Sequence, residues 1–374
     1  MFSLYVHLPF CRSRCIYCDF YSTTLQGDVM ARYVDALEHE CQQRLDGKDN
    51  IYKCTRVHTI YIGGGTPSLL PPDLLQRLFD FVGKTFSIDP DAEVTVEANP
   101  DDISRQWLQS LKETPVNRIS MGVQTFSNPL LRFLSRRHDA RQAISAVRLC
   151  QEAGYGNVSI DLIYGLPGQT MSQWQSDVEQ ALSLGITHLS AYSLTFEEGT
   201  RLDTMLRKGL VDEADEELSR QMYHFLMSAT EKAGFQHYEI SNFAKPGFHS
   251  RHNSCYWQGT PYMGLGAGAH SYDGERTRRA NLPDIKAYIA ASADVPHETE
   301  VLSDSELYDE FIMTRLRTAV GIPLSELPLQ DRNYCLAAAE PHLCNGRLSL
   351  RDDHLCLTKQ GIFTSNDIIS DLMK

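Results

Sequence analysis

The sequence predicts an α/β protein in which six β/α units form a partial barrel and a smaller α+β module, winged-helix-like, follows. Three observations point to it. Short β-rich runs alternate with helix-like segments along the first 200 residues, the pattern of a parallel sheet covered by helices. Chemically unusual residues cluster just after those runs, where ligands bind in such folds. Beyond about residue 300, helices give way to an alternating run around a tight turn. The 374 residues, 42% of them apolar, suffice for one large domain and one smaller.

The elements follow in order. Leu4 to Leu8 opens the series and precedes a helical stretch from Val29 to Leu45. His58 to Ile62 precedes Pro72 to Phe81, Glu93 to Glu97 precedes Ile103 to Lys112, and Arg118 to Gly122 precedes Ala140 to Glu152. Ser159 to Tyr164 precedes Ser172 to Leu184, and His188 to Leu194 completes six strands, two short of a closed barrel. Several helices open on Asp, Ser or Pro and close on Gly, as helix ends prefer. From Asp203 to Gly234 the chain reads as Glu-rich helices, then Tyr238 to Asn242 is extended, and Phe248 to Tyr272 reads as a loop rich in aromatics and histidines. Helices around Glu306 to Arg317 and Tyr334 to Pro341 precede Leu348 to Leu357, a hairpin about Asp352-Asp353. This divides the chain into a barrel (1–200), a connecting segment with the histidine-rich loop (201–299) and a C-terminal domain (300–374).

Composition narrows the function. A net charge of −13 argues against a nucleic-acid surface, and residues 301–374, with eleven acidic and seven basic side chains, make a DNA-binding role for the C-terminal module unexpected. No apolar stretch has the length of a membrane span. Ten residues precede Cys11, without the basic start and apolar stretch of a secretory signal, so the expected compartment is reducing cytoplasm. Seven scattered cysteines, Cys41, Cys54, Cys150, Cys255, Cys335, Cys344 and Cys356, read as small buried hydrophobes.

Cys11, Cys15 and Cys18 are different. Three close thiolates suit three corners of a [4Fe-4S] cubane, leaving the fourth iron open to a small molecule. Structural zinc would normally need a second Cys/His pair at finger or ribbon spacing, and only His39 and Cys41, on a helix-like segment, follow within thirty residues. At the strand ends, Gly63-Gly64-Gly65-Thr66-Pro67 follows the second strand, Glu97-Ala-Asn-Pro ends the third, Gln124 follows the fourth, and Asp161 with Gly165-Leu-Pro-Gly closes the fifth. Taken singly, Glu97 and Asp161 also suit helix caps, Arg136, beside Arg137, a solvated charge, and Tyr5 a core position.

The Cys-x3-Cys-x2-Cys run with Tyr17 before its last cysteine, together with Gly-Gly-Gly-Thr-Pro, resembles the radical S-adenosylmethionine (SAM) superfamily. Tyr5-Val-His-Leu-Pro-Phe-Cys, Glu97-Ala-Asn-Pro, Arg118-Ile-Ser-Met-Gly-Val-Gln124, Asp161-Leu-Ile-Tyr-Gly-Leu-Pro and Gly264-Leu-Gly-Ala-Gly-Ala-His270 extend the likeness over essentially the whole chain, to the oxygen-independent coproporphyrinogen III oxidase-like branch. The resemblance implies a radical SAM partial barrel with a HemN-like C-terminal domain. It implies that Cys11, Cys15 and Cys18 ligate the cluster and that S-adenosylmethionine chelates the open iron. Tyr5, Tyr17, Gly64, Gly65, Thr66, Glu97, Gln124, Arg136 and Asp161 match the positions that hold it; the branch uses them for two such molecules.

Two departures set the chain apart from the oxidases: Phe20 stands where they carry a further cysteine, and they have a longer segment before the cluster strand. With His252-Asn253-Ser254-Cys255-Tyr256-Trp257, these resemble the HemW group of haem chaperones. The implied function is haem binding and delivery to apo-haemoproteins such as respiratory enzymes, with haem as cargo, no nucleic acid, and room for a homodimer and peripheral membrane association. Coproporphyrinogen III decarboxylation is the alternative. His252, Asn253, Tyr256 and Trp257 are the implied haem-binding residues, with Cys255 and His249 as further iron-binding types. Chemistry alone equally allows His252 and Asn253 to hold a loop while Tyr256 and Trp257 pack between domains.

Overall fold

Successive side chains of a strand point to opposite faces, and six runs of this chain use that period to separate apolar from polar residues. The computed structural model describes residues 1–47, 52, 55–292 and 294–374. In it β1 (Phe2–Leu8), β2 (Val57–Gly64), β3 (Ile88–Ala98), β4 (Arg118–Gln124), β5 (Val158–Tyr164) and β6 (His188–Ser193) lie side by side in chain order, all parallel. They are joined through α1 (Asp28–Asp46), α2 (Pro72–Thr85), α3 (Arg105–Leu111), α4 (Asn128–Phe133), α5 (Ala140–Glu152) and α6 (Met171–Ser183). Leu4, Val6, Ile60, Ile62, Val94, Val96, Ile119, Met121, Ile160 and Leu162 are buried in one core with Val34, Leu37, Leu78, Val82, Val147 and Val178 of the helices. The intervening positions are polar, and Tyr61, Glu97, Arg118, Ser120, Asp161 and Ser190 line an interior cavity.

Helix ends account for much of the connectivity. Asp139 with Gln142 and Thr170 with Gln173 form reciprocal caps that start α5 and α6. Ser104 caps α3 by accepting from Trp107 N. Pro72 begins α2, where its missing N–H costs nothing.

The stretch expected as a connecting segment extends this same sheet. It contains α7 (Arg201–Arg207), α8 (Glu216–Lys232), β7 (Gln236–Glu239), β8 (Asn242–Ala244), α9 (Arg251–Trp257), β9 (Tyr262–Leu265), β10 (His270–Tyr272), β11 (Thr277–Asn281), α10 (Ile285–Ala290) and β12 (His297–Val301). The strand order is β12-β11-β10-β9-β1-β2-β3-β4-β5-β6-β8-β7, so the region adds to both edges. β8 runs antiparallel to β6, and β9 parallel to β1. The expected loop is also corrected: its run Arg251–Trp257, with His252, is helix α9, because Ser250 caps the turn by accepting from Asn253 N and the Ser254 hydroxyl donates back to Ser250 O, and His270 opens β10.

The glycine run at 264–268 is a packing device. A Cβ on Gly264 would lie 2.0 Å from His270 O, and one on Gly266, at φ +110°, would lie 2.7 Å from His7 O. Buried Glu40 of α1 holds this turn by accepting from Gly266 N at 2.9 Å, Asn281 Nδ2 at 2.7 Å and Tyr288 Oη at 2.5 Å, beside Arg44 at 3.4 Å. One carboxylate thus ties a covering helix to an edge of the sheet.

The C-terminal module has its own core, with Tyr308, Ile312, Leu316, Leu348, Leu355 and Ile368 buried together. It comprises α11 (Asp304–Leu316), β13 (Ile322–Pro323), α12 (Leu329–Cys344), β14 (Leu348–Arg351), β15 (His354–Leu357) and α13 (Ser365–Leu372). Asp352 and Asp353, at φ 47° and 65°, make the two-residue hairpin turn read from the sequence. Of the scattered cysteines, Cys41, Cys150, Cys255, Cys335 and Cys356 are buried; Cys344, at the end of α12, is exposed, and Cys54 lies outside the described residues.

Glu40→Ala removes an acceptor shared by three donors and leaves Arg44 in a buried site without that carboxylate. The expected result is a loss of about 3–5 kcal/mol in folding stability, read as a lower urea midpoint, with a smaller loss for Glu40→Gln.

Candidate functional site

The loop after β1 carries the three cysteines, and backbone bonds shape it before any metal is considered. Cys11 N donates to Thr23 O at 2.8 Å, Thr23 N to Pro9 O at 2.6 Å, and Leu202 N of α7 to Ile16 O at 2.8 Å. Cys11, Cys15 and Cys18 are half-buried. The Thr66 hydroxyl lies 3.5 Å from Cys11 Sγ and Arg136 Nη1 lies 3.4 Å from Cys15 Sγ. Burial raises the Cys11 thiol and pushes Cys18 up to about 11, so an iron cation is what would hold them as thiolates at neutral pH. Among the described residues no three His, Cys, Asp or Glu side chains are gathered as for a single metal ion; a four-iron cubane asks for thiols spread further apart. The donor set, three thiols in one loop beside an arginine and a hydroxyl, fits such a cluster.

The glycine turn after β2 is pressed against the root of that loop. A Cβ on Gly65 would meet Pro9 and Phe10 backbone at 2.8 Å, and one on Gly64, at φ +113°, the His7 ring at 2.7 Å. Side chains are excluded there by sterics. Gly64 N donates to Glu97 Oε2 at 3.1 Å, and Tyr61 Oη donates to Glu97 Oε1 at 2.7 Å. Burial pushes the Glu97 carboxyl up to about 7, against these hydrogen bonds. Asp161 rises to about 6 by burial, opposed by a hydrogen bond from Ser190. Both acids therefore change charge near neutral pH.

Arg136 enters the cavity while its neighbour does not. Arg136 Nη2 donates to Asn99 Oδ1 at 2.7 Å and to Gly122 O, whereas Arg137 pairs with Asp101 at 2.8 Å and Asp102 at 3.1 Å. Gln124 sits at φ 70°, in the left-handed region, where the β4–β5 register shifts. A Cβ on Gly122 would lie 2.9 Å from Gln124 Nε2, so the glycine makes room for that turn.

The cavity these groups enclose measures about 680 Å³, within the roughly 300–1,000 Å³ of small-molecule sites. Of the residues read from the sequence, Tyr17, Cys18, Gly64, Gly65, Thr66, Glu97, Gln124, Arg136, Asp161 and Asn253 line it. Tyr5 does not: its hydroxyl is bonded to His7 Nδ1 at 3.0 Å and its ring lies 6.4 Å from that of His252. Sequence reasoning missed Tyr61, Arg118, Ser120 and Ser190 of the inner faces, all legible as the polar half of a two-residue alternation. It also missed Arg317, Ile362 and Phe363, by which the C-terminal module lines the same cavity.

Helix α9 sits at the amino-terminal end of the strands, away from the cysteines. Glu93, early in β3, accepts from Arg251 N at 3.1 Å and His252 N at 3.0 Å, a carboxylate at a helix start. His252 is buried with both ring nitrogens bonded, Nδ1 to Thr59 Oγ1 at 2.8 Å and Nε2 to Tyr256 Oη at 2.9 Å, and its ring stacks 5.0 Å from Tyr61. Burial, with the Arg118 charge, lowers it to about 3, so it is neutral. Trp257 lies under the Arg317 guanidinium, which is 5.7 Å from the indole ring centre, and Trp257 Nε1 is buried without a partner among the described residues. His249 stacks on Tyr238 at 4.3 Å, and Cys255 is buried. The run thus plugs the floor of the barrel, and only Asn253 of its four haem candidates reaches the cavity.

Comparison with known proteins places these features in context. Residues 5–181 match the Radical SAM superfamily and residues 302–364 the HemN C-terminal domain. The chain is 40% identical to "Heme chaperone HemW" of Lactococcus lactis, over 86% of this chain and 82% of that protein. It is 35% identical to the protein of the same name from Mycobacterium tuberculosis, over 100% and 95%. Among solved structures, coproporphyrinogen III oxidase (HemN) of Escherichia coli superposes with a TM-score of 0.84 at 22% identity, covering 100% of this chain and 90% of that one. That likeness establishes the fold.

Cys15→Ser is expected to lower the reconstituted content below four irons and four sulfides, whereas Cys150→Ser, in the core, leaves it intact; iron and sulfide analysis decides. Glu97 gives a pH-resolved test. An acid whose folded pKa is raised, here from 4.5 to about 7, costs no stability below the lower value, a growing amount between the two, and its full cost above the upper one. Glu97→Gln in the cluster-bound protein is therefore expected to gain on the order of 1–3 kcal/mol at pH 8 and nothing at pH 4, while its affinity for S-adenosylmethionine falls. Melting curves and equilibrium binding at both pH values read the two effects.

Proposed function

The chain belongs to the HemW family of radical SAM proteins, and from that premise we propose that it is a haem chaperone, binding haem and passing it to apo-haemoproteins. The observation that carries the reading is 35–40% identity to several proteins named as heme chaperones, in one case along the whole chain. Its cofactors are a [4Fe-4S] cluster and S-adenosylmethionine. Cys11, Cys15 and Cys18 would hold the cluster, which when reduced can deliver an electron to bound S-adenosylmethionine. Tyr17, Gly64, Gly65, Thr66, Gln124 and Arg136 would form the upper wall around that molecule, and Glu97 and Asp161 would accept from its ammonium or ribose hydroxyls.

His252 would bind haem iron only after giving up its bonds to Thr59 and Tyr256, so loading at α9 would be coupled to release of the plug. Asn253, already lining the cavity, would be the first residue of the motif to meet a ligand from inside. Delivery to respiratory enzymes in the cytoplasm, at a membrane face and by way of a homodimer, completes the proposal. No helix among the described residues is long and apolar enough to cross a membrane.

The alternative, oxidative decarboxylation of coproporphyrinogen III, shares the fold. Phe20, where the oxidases carry a further cysteine, weighs against it; the ring is 67% exposed and lines the cavity at the cysteine end. Anaerobically reconstituted protein is expected to bind haem stoichiometrically and to form no protoporphyrinogen from coproporphyrinogen III with reductant and S-adenosylmethionine. Robust decarboxylation would overturn the chaperone reading. His252→Ala is expected to shift the haem absorption spectrum and weaken binding about tenfold or more; an unchanged spectrum removes His252 as the ligand.

A further inference from the structure

We infer that Arg118 is an anion anchor at the floor of the cavity, where its guanidinium holds a carboxylate of the bound molecule. Arg118 opens β4 on the inward face, is 2% exposed and lines the cavity. Its Nε is buried without a hydrogen-bond partner among the described residues. Among the described residues no carboxylate forms an ion pair with it, although arginines 136, 137 and 278 are all bonded or paired. A guanidinium removed from water needs a counter-ion or several acceptors. Here the nearby histidines, His188 and His252, are bonded and neutral. Glu97 is already engaged by Tyr61 and Gly64, and Asp161, although it feels the Arg118 charge, makes no ion pair or hydrogen bond with it among the described residues. The acceptor is therefore supplied from the cavity, and a planar fork of donors selects a carboxylate.

Position separates this group from the cluster chemistry. Arg118 begins β4 and Gln124 ends it, so about 20 Å of strand lies between the anchor and the end that carries the cysteine loop. A carboxylate engaged at the cysteine end is not the one at the floor. Two sources present the required chemistry: a propionate of haem, which rests on the haem-carrier reading above, and the amino-acid end of an adenosylmethionine bound deep in the cavity, which does not.

The test compares reconstituted wild type, Arg118→Gln and Arg118→Lys against four ligands: haem, haem dimethyl ester, S-adenosylmethionine and decarboxylated S-adenosylmethionine. Loss of a charge-assisted bidentate contact is expected to raise the Kd of the matching acid about 10- to 100-fold, with a smaller rise for the lysine variant and no change for the ligand lacking that carboxylate. A loss confined to haem over its ester assigns a propionate; one confined to S-adenosylmethionine over its decarboxylated form assigns the amino-acid carboxylate. Equal affinities of wild type and variants for all four overturn the anchor. Iron content and melting temperature establish that the variants fold, and if Arg118→Gln does not, Arg118→Lys carries the same comparison. Should wild type bind no haem, the chaperone reading fails on its own, and the S-adenosylmethionine pair still decides Arg118.

Discussion

Because a strand must send neighbouring side chains to opposite faces, six parallel strands wound into a partial barrel sort the chain into two environments, and every other property of the site follows from that sorting. The outward residues, such as Ile60, Val94, Ile119 and Ile160, form one continuous core with the helices. The inward ones cannot do the same, because they include Glu97, Arg118 and Asp161. Parallel pairing fixes each group at its own height: Arg118 pairs with Thr95, Glu97 with Ser120, and Asp161 with Gly122. A polar interior of fixed register results.

Taking charges out of water in this way has a cost that the site converts into chemistry. Burial raises Glu97 and Asp161 toward neutrality and drives His188 and His252 to their neutral forms. Arg136 is bound into the wall by Asn99 and Gly122, whereas the buried Nε of Arg118 has no partner among the described residues. The interior is thus polarised lengthwise, with acids between a bonded cation near the cysteines and an unsatisfied one at the floor.

The two ends of the barrel are closed by different parts of the chain. At the cysteine end, backbone contacts pack the glycine turn onto the loop root, and any Cβ there would collide with His7 or Pro9. At the other end α9 is fixed by Glu93 and inserts His252 between Thr59 and Tyr61. A ring held by two hydrogen bonds resists a third partner, so any iron at that nitrogen must compete with Tyr256 for it. The C-terminal module supplies a side wall through Ile362 and Phe363, which couples its position to the volume available.

The sequence by itself determined the strand runs, the cysteine loop, the hairpin at Asp352-Asp353 and most of the upper wall, because each rests on short-range rules: a period of two, a spacing of thiols, a turn that needs positive φ. It also carried the polar alternation that marks Arg118 and Tyr61, although no motif drew attention to them. Tertiary structure alone decided three things. Residues 236–301 joined both edges of the sheet, since strand pairing is a contact between distant segments. The motif at 252–257 folded as a helix under the barrel, since its cap is local but its anchor, Glu93, is some 160 residues away. Tyr5 turned to His7 and the plug in place of the cavity, since both outcomes satisfy the same inward position and only the packing of neighbours distinguishes them.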